Sequence, residues 1–191
     1  MIHIYFGNGK GKTTAALGLA LRAAGANKKV AFIQFMKKQI YSEHKAIKKY
    51  KLPIDFFVSQ TDFYRMSGKI PTKKEFKKQL NANLKLLNKA HEIIKSKKYD
   101  LIILDEVLNV IKPSSINEIL FKGVINFGSD LLDIDEVIDK LELRSKHKND
   151  IVLTGRSEHP KLTEIADLIT EMKLIKHYFD KGIQARKGIE Y

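Results

Sequence analysis

Cysteine is absent from the 191-residue sequence. Its absence excludes disulfide bonds and thiolate metal sites, and it fits a reducing compartment. The first residues do not form a signal-peptide pattern, and no apolar run approaches the ~20 residues that a membrane-spanning helix needs. We therefore predict a cytoplasmic protein that has no membrane partner.

Linkers, internal repeats and low-complexity segments are also lacking. The chain is 43% apolar and 30% charged, which are ordinary values for a globular protein. Its length suits one α/β domain that can bury a core of useful size. We predict a single domain over residues 1–191.

Acidic residues are few in comparison with basic ones. The 22 Asp and Glu residues stand against 35 Lys and Arg residues, which gives a formal net charge of +13 at pH 7. Such an excess favours anionic partners, for example nucleic acid or nucleotides. A lysine-rich composition spread over solvated surfaces would give the same value, so the charge alone does not identify a partner.

A glycine-rich segment near the N-terminus carries the clearest functional signal. Residues 7–14, GNGKGKTT, follow the apolar run 2–6 and precede a segment that is typical of a helix. A strand, a glycine-rich turn and a helix in this order form a phosphate-binding loop, in which backbone N–H groups and the helix N-terminus face the anion. We expect Lys12 to neutralise phosphate charge and the Thr13 hydroxyl to bind Mg²⁺.

The loop is one residue shorter than the usual phosphate-binding loop. The pattern G-x-x-x-x-G-K-[ST] would place its first glycine at position 6, but the chain has Phe6 there and its first glycine is Gly7. A shorter loop can still form a cradle of backbone amides. It need not hold a triphosphate in the usual direction.

A second motif lies in the middle of the chain. Residues 99–106, YDLIILDE, contain four apolar residues that lead into Asp105 and Glu106. The pattern predicts a buried parallel strand that delivers both carboxylates to the C-terminal edge of the sheet, where ligands bind in open α/β folds. We expect one carboxylate to orient Mg²⁺ and the other to act on substrate or water. With the loop, this strand makes a Walker A and Walker B pair.

Hydrophobic patterns predict the other elements of an α/β fold. We expect a first helix that ends near residues 25–27, a long helix that begins at Thr72, and a short helix opened by a capping box at residues 115–118. Phe63 and Tyr64 lie in a predicted loop, where they either cover the core or contact a flat ligand. Further strands are predicted at 29–35, 54–58, 150–154 and 169–172, and further helices at 36–51, 134–143 and 162–168. We predict a three-layer P-loop NTPase-like (RecA-like) fold with a mostly parallel sheet.

Taken together, these segments resemble the P-loop-type corrinoid (cobalamin) adenosyltransferases. The matching stretches are GNGKGKTTAALGLALRA, LIILDE, IVLTGR, the pattern P-K-L-x-x-x-A-D-L-I-T-E-M and the closing A-R-K-G-I-E-Y. They span nearly the whole chain. The shortened loop and the closing K-G-I-E are specific to that family among P-loop proteins.

The resemblance implies a reaction. Members of the family transfer the 5′-deoxyadenosyl group of ATP to the cobalt(I) of a corrinoid, cob(I)alamin or cob(I)yrinic acid a,c-diamide, and release triphosphate. ATP would be the co-substrate and Mg²⁺ or Mn²⁺ the metal, and the nucleotide would lie reversed in the loop. Cobalt(I) is a strong nucleophile, so the site must mainly position the substrates and stabilise the leaving triphosphate.

The resemblance also implies roles for individual residues. Lys12, Thr13 and Glu106 are expected to be catalytic, and Thr13, Asp105 and Glu106 to bind the metal. The residues expected to bind the nucleotide are Gly7, Asn8, Gly9, Lys10, Gly11, Lys12, Thr13, Thr14, Arg156, Glu171, His177 and Glu190.

Partners follow from the same resemblance. They are the corrinoid substrate, a flavin-dependent reductant and a second copy of the chain in a homodimer. Many members carry a Phe-Thr-Trp stretch that crowds the lower face of the corrinoid. This chain has Phe-Phe-Val at residues 56–58 instead, and it has no tryptophan.

Two other functions fit parts of the sequence. A basic P-loop ATPase that acts on nucleic acid is favoured by the net charge and by Asp105 and Glu106. A small-molecule kinase related to the nucleoside kinases would also use such a loop. The short loop, the closing G-I-E-Y and the lack of an aromatic-basic strip favour the adenosyltransferase, which needs no specific nucleic-acid partner.

Overall fold

The computed structural model describes residues 1–37, 40–61, 72–111, 132–143, 145 and 148–190, with only the backbone of residues 73 and 76. Within these ranges the strands are β1 (Ile2–Phe6), β2 (Val30–Gln34), β3 (Ile54–Val58), β4 (Leu101–Asp105), β5 (Asp150–Thr154) and β6 (Leu168–Glu171). The α-helices are α1 (Lys12–Gly25), α2 (Ser42–Lys49), α3 (Lys73–Ser96), α4 (Ile134–Lys140) and α5 (Pro160–Ile165). Short 3₁₀ helices lie at Val107–Asn109 and Tyr178–Lys181.

The described strands form one sheet in the order β3-β2-β4-β5-β1-β6, and each neighbouring pair is parallel. Because all of these strands run in one direction, their C-terminal ends meet at a single edge of the sheet. The glycine-rich loop leaves β1 between the ends of β5 and β6. The predicted mostly parallel sheet is confirmed.

Helices cover both faces of this sheet. On one face α1 packs through small residues such as Ala16 and Ala20 against strand residues that include Phe32 and Ile103. On the other face α3, α4 and α5 pack on the alternate strand residues, for example Ile33. Successive side chains of a strand point to opposite faces, so a strand covered on both sides is apolar nearly throughout. The three-layer prediction is confirmed.

The long helix α3 begins where the sequence predicts, because Thr72 caps it. The Thr72 hydroxyl accepts a hydrogen bond from the backbone N–H of Glu75 (3.3 Å), and the Glu75 carboxylate accepts one from the backbone N–H of Thr72 (2.8 Å). This reciprocal pair is a capping box. Leu87 and Ala90 on its apolar stripe are fully buried.

The helix predicted at 36–51 is too long at both ends, since α2 spans only Ser42–Lys49. Met36 has a φ of 57°, which turns the chain sharply after β2. The next residue, Lys37, donates its backbone N–H to the Ser59 hydroxyl at 3.3 Å. A contact with the segment after β3 therefore replaces the first predicted turns of helix.

The helix predicted at 162–168 is displaced, since α5 spans Pro160–Ile165. Asp167 donates its N–H to the carbonyl of Ile2 at 2.8 Å and accepts the Ile2 N–H on its carboxylate at 2.6 Å. Pairing with β1 thus ends the helix, and β6 begins at Leu168, one residue earlier than predicted. The helix predicted at 134–143 likewise ends early, at Lys140.

Some expectations fall on other parts of the chain. The capping box at residues 115–118 and the aromatic residues Phe63 and Tyr64 lie outside the described residues. Among the helices that the structure does describe, none is both long and apolar enough to cross a membrane.

Candidate active site

The phosphate loop lies against the backbone of Met172, the residue that follows β6. Met172 donates its N–H to the carbonyl of Phe6 (2.7 Å), and its carbonyl accepts the N–H of Gly9 (2.6 Å). A Cβ added at Gly7 or Gly9 would lie 2.6 Å from the Met172 carbonyl oxygen. Gly7 also has a φ of +111°, which favours glycine. The loop therefore needs glycine at both positions, and residue 172 forms one of its walls.

Lys12, the first residue of α1, has a buried side chain that turns back into the loop. Its ammonium donates to the carbonyl oxygens of Gly7 (2.7 Å) and Gly9 (2.8 Å). Burial lowers the pKa of Lys12, the Arg156 guanidinium lowers it further, and the Glu106 carboxylate opposes both. An ammonium has three N–H donors, so a third remains available to a phosphate oxygen beyond these two contacts. The first turn of α1 carries no acidic residue, which leaves its positive N-terminal end unopposed.

Asp105, the last residue of β4, joins three neighbouring elements. Its side chain is fully buried. One carboxylate oxygen accepts from the hydroxyls of Thr13 (2.9 Å) and Thr154 (2.8 Å), and the other accepts from the Gln34 amide (3.1 Å). Gln34 and Thr154 end the strands on either side of β4, and Thr13 lies in the first turn of α1. The structure thus brings together the two motifs that the sequence indicates.

Glu106 follows Asp105 in a left-handed conformation, with a φ of 64°. Its N–H donates to the Thr154 hydroxyl at 2.9 Å, and its carboxylate accepts from the Asn109 side-chain amide. Burial raises the pKa of Glu106 and the adjacent Asp105 raises it further, while nearby cations that include Arg156 oppose the rise. Asn109 in turn accepts the backbone N–H of Arg156 at 2.8 Å. A chain of hydrogen bonds therefore fixes Glu106 relative to the end of β5.

The segment after β6 returns to the phosphate loop at Lys10. The Lys10 ammonium donates to the Tyr178 hydroxyl (2.8 Å) and to the Glu190 carboxylate (2.8 Å). The Arg186 side chain donates to the same carboxylate at 3.3 Å. These donors, with Arg186 first, hold the pKa of Glu190 well below its ordinary value. We call Lys10, Tyr178, Arg186 and Glu190 the tail cluster.

Other predicted nucleotide-binding residues lie nearby without such contacts. Glu171 ends β6 beside Phe6 and is exposed. His177 accepts the N–H of Phe179 (3.0 Å) and so caps the 3₁₀ helix at Tyr178–Lys181. Within the described residues, no hydrogen bond joins His177 to the loop. Nucleotide contacts of Arg156, Glu171 and His177, and of the exposed Asn8 and Thr14, stay predictions.

Several residues of the site were not predicted from the sequence. Gln34 and Thr154 are polar residues at the last positions of apolar strands, and this pattern would have identified them. Met172 acts through its backbone, which its residue type does not reveal. Tyr178 and Arg186 belong to the closing segment that the resemblance includes, but only the folded chain shows that they meet Glu190.

The residues at this edge fit a magnesium ion. Mg²⁺ in nucleotide sites takes one or two protein carboxylates and completes its shell with waters and phosphate oxygens. The Thr13 hydroxyl and the Asp105 carboxylate are in contact, and Glu106 adjoins them. The buried Oε1 of Gln34 has no partner among the described residues, which suits a metal-bound water. Across the part of the chain that the structure describes, no group of three or more His, Asp or Glu residues could hold a metal ion by itself. Phosphate oxygens would therefore have to complete the metal site.

Comparison with known proteins identifies the family of the chain. The sequence model of the family described as ATP:corrinoid adenosyltransferase BtuR/CobO/CobP matches residues 1–191. The chain belongs to this family. The adenosyltransferase is 30% identical over 198 residues to the corrinoid adenosyltransferase of Escherichia coli (strain K12), with 100% of this chain and 85% of the relative covered.

Two further relatives are similar to the adenosyltransferase over its full length. Identity is 31% over 193 residues with the corrinoid adenosyltransferase of a Sinorhizobium species, which is covered over 80% of its length and this chain over 100%. The identity with corrinoid adenosyltransferase CobA of Salmonella typhimurium (strain LT2) is 29% over 198 residues, and the match covers 85% of that protein and 100% of this chain. The enzyme is thus a transferase that uses ATP and a corrinoid, as the sequence motifs predict.

A solved structure supports the fold. The crystal structure of a KaiC-like protein from Pyrococcus horikoshii OT3 is similar with a TM-score of 0.50 and 14% identity, over 92% of this chain and 73% of that one. At this identity the likeness concerns the fold alone. The predicted P-loop, RecA-like architecture is confirmed.

Proposed function

We propose that the enzyme binds the triphosphate of ATP in the loop of residues 7–14 and transfers the 5′-deoxyadenosyl group to cobalt(I), with triphosphate as the leaving group. The wall that Met172 makes against the short loop carries this proposal. The Gly9 N–H is already donated to the Met172 carbonyl at 2.6 Å, so one amide of the cradle is not available to phosphate. A smaller cradle supports a nucleotide held in the reversed direction, with C5′ exposed.

The chemistry asks little of the protein besides position and charge. The cobalt(I) electron pair forms a bond to C5′, the C5′–O bond breaks, and its electron pair leaves on the triphosphate oxygen. No proton is transferred, so no general base is needed. The Lys12 ammonium and the N-terminus of α1 stabilise the negative charge that grows on the leaving group.

The metal has a supporting role at the same edge. We propose that Thr13, together with Asp105 or Glu106, holds Mg²⁺, which would neutralise phosphate charge. Asp105 accepts hydrogen bonds from Thr13, Thr154 and Gln34, so its carboxylate is fixed before any metal arrives. A preorganised carboxylate loses little freedom on binding. Mn²⁺ suits the same oxygen ligands.

The corrinoid, the reductant and the assembly complete the proposal. The Phe56 ring packs on Phe32 (5.0 Å between centroids) and His44 (4.3 Å), so it serves the core rather than a free corrinoid face. A flavin-dependent reductant is proposed from the family resemblance, and the cytoplasmic location stays a prediction from the sequence. Large apolar side chains are exposed between Leu168 and Ile189, which supports a homodimer, measurable by light scattering.

The products of ATP cleavage test the proposal. The enzyme is incubated without oxygen with ATP, Mg²⁺ and chemically reduced cobalamin, and the phosphate products are separated by ion-exchange chromatography. We expect inorganic triphosphate and adenosylated corrinoid in equal amounts, and little ADP when the corrinoid is left out. ADP and phosphate as the main products, with or without corrinoid, would contradict the proposal.

The same assay separates the two other functions. A kinase would form ADP only when its own acceptor is present. A nucleic-acid ATPase would release ADP faster when DNA or RNA is added, at low salt above all, since phosphate contacts weaken steeply with salt. The family match favours the adenosyltransferase over both.

A further inference from the structure

Glu190 is the centre of the tail cluster. Its Oε1 accepts from the Lys10 ammonium (2.8 Å), the Arg186 guanidinium (3.3 Å) and the Tyr178 hydroxyl. Its Oε2 accepts from the backbone N–H of Arg186 (2.6 Å) and from its Nε (3.4 Å). A carboxylate engaged in this way has little capacity left for a ribose hydroxyl. Direct contact with the nucleotide is therefore not its best-supported role.

Lys10 and Arg186 meet at one point although both are positive. Their nitrogens approach the same oxygen of Glu190 to 2.8 and 3.3 Å. Both also lie over the Tyr178 ring, the Lys10 nitrogen at 5.4 Å and the Arg186 guanidinium at 5.0 Å from its centroid. Without the carboxylate and the ring, two like charges at this separation would move apart.

The cluster presents its positive groups to solvent and covers its negative one. The side chains of Lys10 and Arg186 are 42% and 53% exposed, whereas that of Glu190 is 16% exposed. Two cations and one carboxylate leave a net charge of +1. An anion that reaches this surface meets the two cations first, and Lys10 lies within the phosphate loop itself.

We propose that Glu190 is a positioning residue, which holds Lys10 and Arg186 side by side as a second cationic site for the triphosphate of ATP. The proposal rests on the proposed function, because it assumes a triphosphate in the loop. It assigns a binding role to Arg186. It also gives Glu190 an indirect role in place of the direct contact expected from the sequence.

The direction in which Glu190→Gln changes the affinity for triphosphate distinguishes a positioning role of Glu190 from a purely electrostatic one. Replacing Glu190→Gln removes a negative charge beside a polyanion site, which by charge alone should strengthen binding. If Glu190 positions the two cations, the same change should weaken binding instead. The measurement is the Kd of inorganic tripolyphosphate and of ATP by calorimetry, with the full chain and without corrinoid, so that no catalytic step enters.

We expect Glu190→Gln to weaken tripolyphosphate binding about tenfold, the size of one lost charge-assisted hydrogen bond. Lys10→Met and Arg186→Met should each weaken it similarly. In the Lys10→Met/Arg186→Met background, Glu190→Gln should have no effect or tighten binding slightly, because nothing remains to position. Tighter or unchanged binding by Glu190→Gln in the otherwise unaltered chain overturns the proposal.

Matched controls cover folding and charge. Glu92→Gln breaks a surface pair of similar length, Lys89–Glu92 at 2.9 Å, and should leave the Kd unchanged. Should Glu190→Gln fold poorly, Tyr178→Phe offers a second route, since it removes one contact to each of Lys10 and Glu190 and keeps the ring. We expect it to weaken binding about threefold, and unaltered binding would contradict the proposal.

The failure of the proposed function looks different. In that case the unaltered chain binds neither ATP nor tripolyphosphate, and Lys12→Ala changes nothing. A chain that binds both ligands through Lys12 but ignores Glu190 keeps the proposed function and overturns only the positioning role.

Discussion

The Thr13 hydroxyl donates a hydrogen bond to the Asp105 carboxylate at 2.9 Å, across 92 residues of sequence. The contact joins the first turn of the helix after the loop to the last residue of a central strand. It fixes the threonine before nucleotide or metal is present. The Thr154 hydroxyl reaches the same oxygen at 2.8 Å, so a third element holds the pair in place.

Thr154→Val should weaken the metal site without removing a proposed ligand. The valine loses the hydrogen bond to Asp105 and no longer accepts the Glu106 N–H, which is partly buried in the protein. Loss of a group that orients a ligand typically costs about 10–100-fold in metal affinity. We expect the Mg²⁺ concentration for half-maximal activity to rise about tenfold. Thr154→Ser, which keeps the hydroxyl, should behave normally, and equal Mg²⁺ dependence of both variants would contradict the expectation.

Lys12→Ala should remove nearly all turnover while the fold persists. The change removes the buried cation that lies within hydrogen-bonding distance of two loop carbonyls. Loss of one such group typically costs 10²–10³-fold in rate, or about 3–4 kcal/mol. Activity is measured by triphosphate release, and folding by circular dichroism and thermal unfolding. Lys89→Ala on the exposed face of α3 serves as the control. Near-normal turnover of a folded Lys12→Ala enzyme would remove Lys12 from the site.

Gly9→Ala should damage nucleotide binding, whereas Gly18→Ala should not. A Cβ at Gly9 would lie 2.6 Å from the Met172 carbonyl oxygen, and backbone cannot move as cheaply as a side chain. The loop would shift or lose its contact with residue 172. A Cβ added at Gly18 in α1 would meet nothing within 4 Å besides its own stretch of helix, so alanine there should raise stability by about 0.5–1 kcal/mol. Calorimetry measures ATP binding, and unfolding in urea measures stability. Equal ATP affinity of the two variants would contradict the conclusion that the Met172 backbone restricts residue 9 to glycine.

His44 should make the protein less stable in mild acid. Burial lowers the pKa of His44 below its ordinary value, and its Nδ1 accepts the Tyr41 N–H at 2.9 Å, which requires the neutral ring. At a pH between the folded and unfolded pKa values of His44, the unfolded chain binds more protons than the folded one. The stability that neutral His44 contributes is therefore complete above about pH 6.5 and is lost as pH falls. Urea unfolding at pH 5 to 8 measures the slope. His44→Gln should flatten this slope, and a slope identical to that of the unaltered protein would exclude His44 as the cause.

Local patterns predicted the fold because its strands are apolar on both faces. The runs that end at Gln34, Asp105 and Thr154 are covered by helices on each side, and such strands stand out in a sequence. Boundaries were less accurate where a distant contact decides them. Asp167 leaves the helical pattern because it pairs with Ile2 at the start of β1, and no local signal shows that partner.

The candidate site divides in the same way. The loop is identified by its own glycines and lysines, and Asp105 and Glu106 by the apolar strand directly before them, so local sequence is enough to find these residues. The wall at Met172 and the partners of Glu190 come from pairings between the two ends of the chain, which a sequence without its fold does not show. The direct role for Glu190 was expected from resemblance, and the structure favours an indirect one.

Lys10 and Glu190 are 180 residues apart, so the ribosome makes the two partners of this ion pair at very different times. A ribosome makes the phosphate loop among the first residues and the wall at Met172 and the partner Glu190 among the last described ones. A nascent chain that has completed β4 and β5 therefore still lacks the wall at residue 172 and the carboxylate that holds Lys10. We therefore expect the chain to bind ATP at full strength only after β6 and the tail have left the ribosome, and products truncated before β6 to bind it more weakly.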